Sequence, residues 1–199
     1  MLIPGKPVKP GAGAVPVRSP QQEREWLRDL ARKAEQELTG VQMASMDELT
    51  LLPNRHGFTA LAQQGLDACQ QLEKPATLLL FNLDDFKRTH YLYGRAASDK
   101  ALKIFADVLR IAFRESDVIG RLGSDKFAAL LTGSGTVDRE AIEARLEEIL
   151  AERNAAAHRA NDMRFSIGQI EYDALRHGSI EGLLAEADVF TWQTTDSGP

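Results

Sequence analysis

Apolar residues along this chain keep two rhythms, a helical one and short unbroken runs. Leu27, Ala31, Ala34, Leu38 and Val41 recur at spacings of four and three among charged residues. That heptad stripe predicts a helix over residues 21–45, either folded onto its own domain or standing as a stalk that pairs two subunits. The stretch from Asp47 to Arg55, with Pro53 and Asn54 as breaker and cap, predicts a helix stop and restart. A helix over residues 56–72 follows. Residues 76–83 are apolar and too short for a core helix, so they read as a buried strand, which Asn82 to Lys87 close while opening a helical turn. Ala101, Leu102, Phe105, Val108, Leu109 and Ala112 form the buried stripe of a helix ending near Arg114. Two short apolar runs, residues 118–121 and 127–131, flank the turn-forming Gly123-Ser124-Asp125-Lys126. They predict a β-hairpin with a carboxylate and an ammonium at its tip. Ile142, Leu146 and Ile149 mark another amphipathic helix. Met163, Phe165 and Ile167 mark a strand running towards Tyr172, and residues 180–192 a last helix. Strands alternating with helices around one hairpin predict an α/β (α+β) sandwich, a sheet flanked by helices.

Composition narrows the class. The 199 residues suffice for one domain with extensions, and 43% hydrophobic with 27% charged residues is ordinary for a globular protein. A net charge of −5 argues against a nucleic-acid partner. Cys69 is the single cysteine, so no internal disulfide or cysteine metal cluster forms, which suits a reducing compartment. The apolar runs are too short for a membrane span, and the start lacks a signal-peptide core, so a cytoplasmic location is expected. Residues 1–20 carry five prolines with interspersed glycines, the composition of a flexible tail or linker.

The hairpin tip, Gly123-Ser124-Asp125-Lys126-Phe127, resembles the signature loop of the GGDEF family, the diguanylate cyclases that condense two GTP molecules into cyclic di-GMP. Asp47-Glu-Leu-Thr50-Leu-Leu-Pro53-Asn54-Arg55 is similar to that family's D-x-L-T-x-L-x-N-R motif at every specified letter. The resemblance covers residues 46–199. It implies a nucleotidyl-cyclase-like palm with a central, largely antiparallel sheet, preceded by an N-terminal stalk helix.

The resemblance also implies that the substrate site is degenerate. The metal positions fall on Asn82, on the carbonyl of Leu83 and on Asp125, a weak set because Asn82 replaces an aspartate. Lys126 stands where active members carry a second acid, which reverses the local charge and removes a possible general base. Guanine-reading positions are His90, in place of asparagine, and Asp99. Lys87 matches a phosphate-contacting lysine, whereas Thr195 replaces another. Ser124 adds a Cβ beside Gly123 where the loop runs close to the nucleotide.

By contrast Arg114-Glu-Ser-Asp117 resembles the family's inhibitory R-x-x-D site for cyclic di-GMP, in the expected register before the signature. Arg114 offers a planar fork to a guanine edge or phosphate, Asp117 accepts from guanine N–H groups, and Arg145 is a second arginine for the pocket. The plainer alternative has Arg114 closing its helix and Asp117 starting the strand. Other plain readings make Asp84 and Asp85 helix caps, His56 and His158 surface residues, Trp192 a core residue and Lys126 a solvated tip charge.

Together these imply a catalytically inactive receptor for cyclic di-GMP that engages a protein partner and dimerises through the stalk. No cofactor is required, with Mg²⁺ needed only if GTP still binds. The alternatives are an interaction module that binds no nucleotide and a residual cyclase or GTP binder.

Overall fold

The structure is a computed structural model that describes residues 19–84, 86–156 and 163–195. The expectations for residues 1–18 of the tail, Asp85 and His158 therefore lie outside the described residues, and those for Trp192 and Thr195 outside the described side chains; Ser19 and Pro20, expected in the tail, instead open the first helix. Two units divide the chain, Met1–Val41 and Gln42–Pro199.

The first unit holds most of helix α1, Pro20–Ala44. A reciprocal capping box starts it: the Ser19 hydroxyl accepts the Gln22 N–H at 3.3 Å, and the Gln22 side chain accepts the Ser19 N–H at 2.9 Å. Trp26, Leu27, Leu30 and Leu38 are exposed along it.

In the second unit the order is α2 (Arg55–Gln71), β1 (Ala76–Leu83), α3 (Phe86–Ala112), β2 (Val118–Arg121), β3 (Lys126–Thr132), α4 (Arg139–Ala156), β4 (Phe165–Glu171) and α5 (Ile180–Thr195). The four strands form one antiparallel sheet in the order β2-β3-β1-β4. Side chains alternate across it, as the strand period of two dictates. Leu79, Phe81 and Leu83 of β1, with Phe127, Ala129, Phe165 and Ile167, pack on α3 and α4. Leu78 and Leu80, with Ala128, Leu130 and Ile170, pack on α2 and α5. The predicted sandwich is thus a sheet between two helical layers. Phe105 of α3 meets Phe127 edge-to-face at 5.1 Å, centring the first of these cores.

Two boundaries differ from the sequence reading in ways that matter. Helix α3 begins at Phe86 and contains a break at Gly94, whose φ of 80° favours glycine. Strand β3 begins at Lys126, one residue earlier than its apolar run, because the ladder continues to an Asn82–Lys126 pair. Lys126 is a strand residue facing the sheet's end.

The loop between β4 and α5 is closed by a polar cluster around the buried His177. His177 Nδ1 accepts the Asp173 N–H at 3.0 Å, so Nε2 carries the ring proton and donates to Glu186 at 2.8 Å. Arg176 holds the other Glu186 oxygen at 2.9 Å. The hydrogen bond from His177, reinforced by the charge of Arg176, holds the Glu186 carboxyl below its ordinary 4.5. Its stabilisation is therefore present above that value and is lost as pH falls through the depressed folded-state value. Thermal unfolding of Glu186→Gln is expected to depend less on pH than wild type as pH falls below 4.5. Equal acid sensitivity of the two proteins would refute a load on this carboxylate.

Candidate functional site

The hairpin tip is fastened from three sides. From the sheet, the Leu83 N–H donates to the Asp125 carbonyl at 3.0 Å, and the Leu122 N–H donates to the Lys126 carbonyl at 2.8 Å. From β2, Arg121 donates to the Gly123 and Ser124 carbonyls at 3.0 and 2.8 Å. From α2, Arg55 Nε donates to the Leu122 carbonyl at 3.3 Å.

The remaining edge of the Arg121 guanidinium takes both oxygens of Asp47, at 3.0 and 3.1 Å. Asp47 also accepts the Thr50 N–H at 2.8 Å and the Thr50 hydroxyl at 2.6 Å. Partial burial opposes ionisation of Asp47, but the Thr50 and Arg121 hydrogen bonds outweigh it and hold the carboxyl below 3.8. This explains physically why Asp47, Thr50 and Arg121 belong together: one carboxylate joins the N-terminal turn to the hairpin. An open cleft of about 490 Å³ lies beside this clamp, lined by Asn54, His56 and the tip among others.

At the sheet's end, Asn82 pairs with Lys126 on one side and Ser166 on the other. The Lys126 ammonium reaches α5 and forms an ion pair with Asp188 at 3.0 Å, both side chains being a little over a third exposed. The solvated tip charge foreseen for Lys126 is corrected accordingly, since the strand directs it at a carboxylate. The Ser166 hydroxyl donates to Asp84 at 3.1 Å, so Asp84 is tied to β4 and not only to the opening of α3. The Ser124 hydroxyl donates to the Asp125 carboxylate at 2.8 Å.

Magnesium asks for several hard, preferably anionic oxygens around one point. The expected positions offer a neutral amide at Asn82, the Leu83 carbonyl and one carboxylate, Asp125, which already accepts the Ser124 hydroxyl, and beside Asn82 stands the Lys126 ammonium seated on Asp188. Among the described residues no three His, Cys, Asp or Glu side chains gather as a metal group. These residues do not fit the ion.

The expected base-reading residues lie on the first half of α3. Ser98 is buried, and its single hydroxyl hydrogen is taken by the Gly94 and Arg95 carbonyls at 3.0 and 3.1 Å. His90 Nδ1 lies 3.0 Å from that hydroxyl. Asparagine would present both a donor and an acceptor there. Asp99 lies 3.8 Å from Arg95 in a loose i,i+4 pair, and Lys87 is exposed.

Arg114 and Asp117 occupy the turn between α3 and β2. The Asp117 N–H donates to the Arg114 carbonyl, and Asp117 Oδ2 accepts the Arg114 N–H, both at 3.0 Å. The other oxygen, Oδ1, is buried without a hydrogen-bond partner. The Arg114 guanidinium is exposed, and no hydrogen bond or ion pair engages it among the described residues. Arg145 is exposed on α4, the helix packed against α3. No hydrogen bond or ion pair joins Arg145 to Arg114 or Asp117 among the described residues.

Sequence reasoning missed the partners of Arg121 and Lys126. Asp47 and Asp188 lie 74 and 62 residues away from them, and no local spacing announces such pairs.

Comparison with known proteins places these features in a family setting. The domain family described as diguanylate cyclase, GGDEF domain, matches residues 44–198. The probable diguanylate cyclase DgcC of Escherichia coli (strain K12) is 36% identical over 104 residues, which are 52% of this chain and 28% of that protein. The chain thus spans little more than a quarter of that relative. The crystal structure of the coiled coil and GGDEF domain of DgcB from Caulobacter crescentus, in complex with c-di-GMP, has a TM-score of 0.71 at 19% identity. It covers 89% of this chain and 94% of that one. The GGDEF domain of TpbB from Pseudomonas aeruginosa has a TM-score of 0.68 at 26% identity, with 77% and 90% covered.

Proposed function

The chain belongs to the GGDEF family, and from that premise we propose that it acts in cyclic di-GMP signalling as a regulatory module without cyclase activity, binding cyclic di-GMP at Arg114, Asp117 and Arg145. The observation that carries the binding half is the orphaned Oδ1 of Asp117, in the same turn as Arg114, whose side chain is exposed. A buried acceptor left unpaired costs about 1–3 kcal/mol, which a guanine N–H donor offsets. On binding, the carboxylate exchanges its contact with the Arg114 N–H for guanine donors, while Arg114 and Arg145 supply charge and planar hydrogen bonds to the ligand. The inactive half is supported by the misfit at Asn82 and Lys126: the reaction needs Mg²⁺ on the phosphates, and an ammonium stands beside a ligand set that has lost one of its acids.

A second reading is favoured by the local bond from Asp117 to the Arg114 N–H, which gives both residues a purely structural task. It makes the chain a protein-interaction module that binds no nucleotide. In either case residues 21–45 would act as the stalk, its exposed Trp26, Leu27, Leu30 and Leu38 pairing with a second copy, and residues 46–199 as the regulatory domain.

Incubation with GTP and Mg²⁺ is expected to yield no cyclic dinucleotide by chromatography, and product formation would overturn the inactive reading. Arg114→Ala is expected to weaken cyclic di-GMP binding by about tenfold or more, the worth of a charged hydrogen bond.

A further inference from the structure

We infer that Lys126 is the resident cation of the degenerate site, its ammonium taking the place of a divalent metal ion and tying the hairpin to α5 without one. The inference rests on the non-catalytic reading of this site but not on ligand binding at Arg114, so the two fail separately.

Register and face carry it. Even-numbered residues of β1 point to the α2/α5 layer, as Leu78 and Leu80 do, and their partners Leu130 and Ala128 share that face. Two residues further along the same ladder, Asn82 and Lys126 fall on this face at the sheet's end, and Ser166 falls there from β4. Asp188 reaches the same point from α5, which packs on that layer. Asp188 thus meets Lys126 at one end of the sheet, where Asn82 and Ser166 share its face. The positive charge that this carboxylate meets is an ammonium built into β3.

A tethered ammonium differs from a bound ion in testable ways. It cannot be removed by a chelator, and it excludes a divalent cation from Asp188 by repulsion at contact distance. Lys126→Glu puts a second carboxylate beside Asp188 on the face that Asn82 shares, a set of hard oxygens suited to Mg²⁺ or Mn²⁺. The variant Lys126→Glu should therefore turn a metal-indifferent site into a metal-requiring one.

The experiment is thermal unfolding of the full chain in EDTA and in MnCl₂, with Mn²⁺ binding followed in parallel by electron paramagnetic resonance. The wild type is expected to unfold within about 1 °C of the same midpoint in both, and Lys126→Glu to unfold earlier in EDTA. At Mn²⁺ about a hundredfold above its Kd that variant should regain about 5 °C or more. The doubly substituted Lys126→Glu/Asp188→Lys chain, which restores the ion pair in reverse, should be metal-indifferent again. A wild-type chain that Mn²⁺ stabilises equally, or a folded Lys126→Glu chain that ignores Mn²⁺, overturns the inference. Should Lys126→Glu fail to fold in EDTA, recovery of its circular dichroism with Mn²⁺ supports the inference. Without such recovery Lys126→Gln decides, because removing the ammonium alone must raise Mn²⁺ binding above wild type, and no rise overturns it.

Discussion

Gly57→Ala is expected to destabilise the domain by about 3 kcal/mol or more, the opposite sign to the usual effect of such a change in a helix. Within a helix, alanine is ordinarily better than glycine by about 0.8–1.0 kcal/mol. Here a methyl group on Gly57 would overlap the Ser45 carbonyl oxygen, with the Ser45 Cβ only 3.1 Å away. That carbonyl cannot retreat cheaply, because it accepts the Asn54 N–H at 2.9 Å. Asn54 in turn caps α2 by accepting the Gly57 N–H at 3.0 Å and donates to the Ala44 carbonyl at 2.8 Å. One backbone crossing thus joins the segment before Asp47 to the first turn of α2. Urea unfolding of the variant measures the loss, and a midpoint at or above wild type would show that the crossing yields.

Arg121→Ala is the second large effect, expected to cost about 3 kcal/mol and to loosen the hairpin tip. The Arg121–Asp47 pair is mostly shielded, with side-chain exposures of 13% and 21%. Truncating the arginine leaves the Asp47 carboxylate half-buried with only Thr50 as donor and strips a donor from each of the Gly123 and Ser124 carbonyls. A double-mutant cycle with Asp47→Asn should return a coupling of about 1–3 kcal/mol. Additive single effects would mean that the clamp does not act as a unit. The acid side gives an independent check. Because the folded Asp47 carboxyl lies below 3.8, its contribution is present above that value and is lost as pH falls further. Asp47→Asn should flatten that part of the stability profile.

The scaffold was legible in the sequence because its signals are local. Short apolar runs at residues 76–83 and 127–131, and the turn residues between Arg121 and Phe127, define strands and hairpin without tertiary help. Helix α4 was visible through Ile142, Leu146 and Ile149, which pack where an amphipathic stripe should. The break at Gly94 was not legible, since glycine inside a polar helical stretch signals nothing by itself. The first residue of β3 was also missed, as a lysine beside a turn carries no strand signal until Asn82 pairs with it. The same one-residue shift hid the Lys126–Asp188 pair, which depends on which face of the sheet Lys126 occupies. The D-x-L-T letters were recognisable, yet their purpose was not, because Asp47 acts through an arginine on a distant strand. Arg114 and Asp117 were found by register alone, and the orphaned oxygen that gives them chemical interest exists only in the folded turn.

Isothermal titration of the full chain with cyclic di-GMP, beside Arg114→Ala and a GTP/Mg²⁺ control, probes the receptor reading most directly. The expected result is saturable heat with cyclic di-GMP that the substitution removes, and none with GTP. Absence of heat with cyclic di-GMP, or heat unchanged in Arg114→Ala, would contradict a receptor built on this turn.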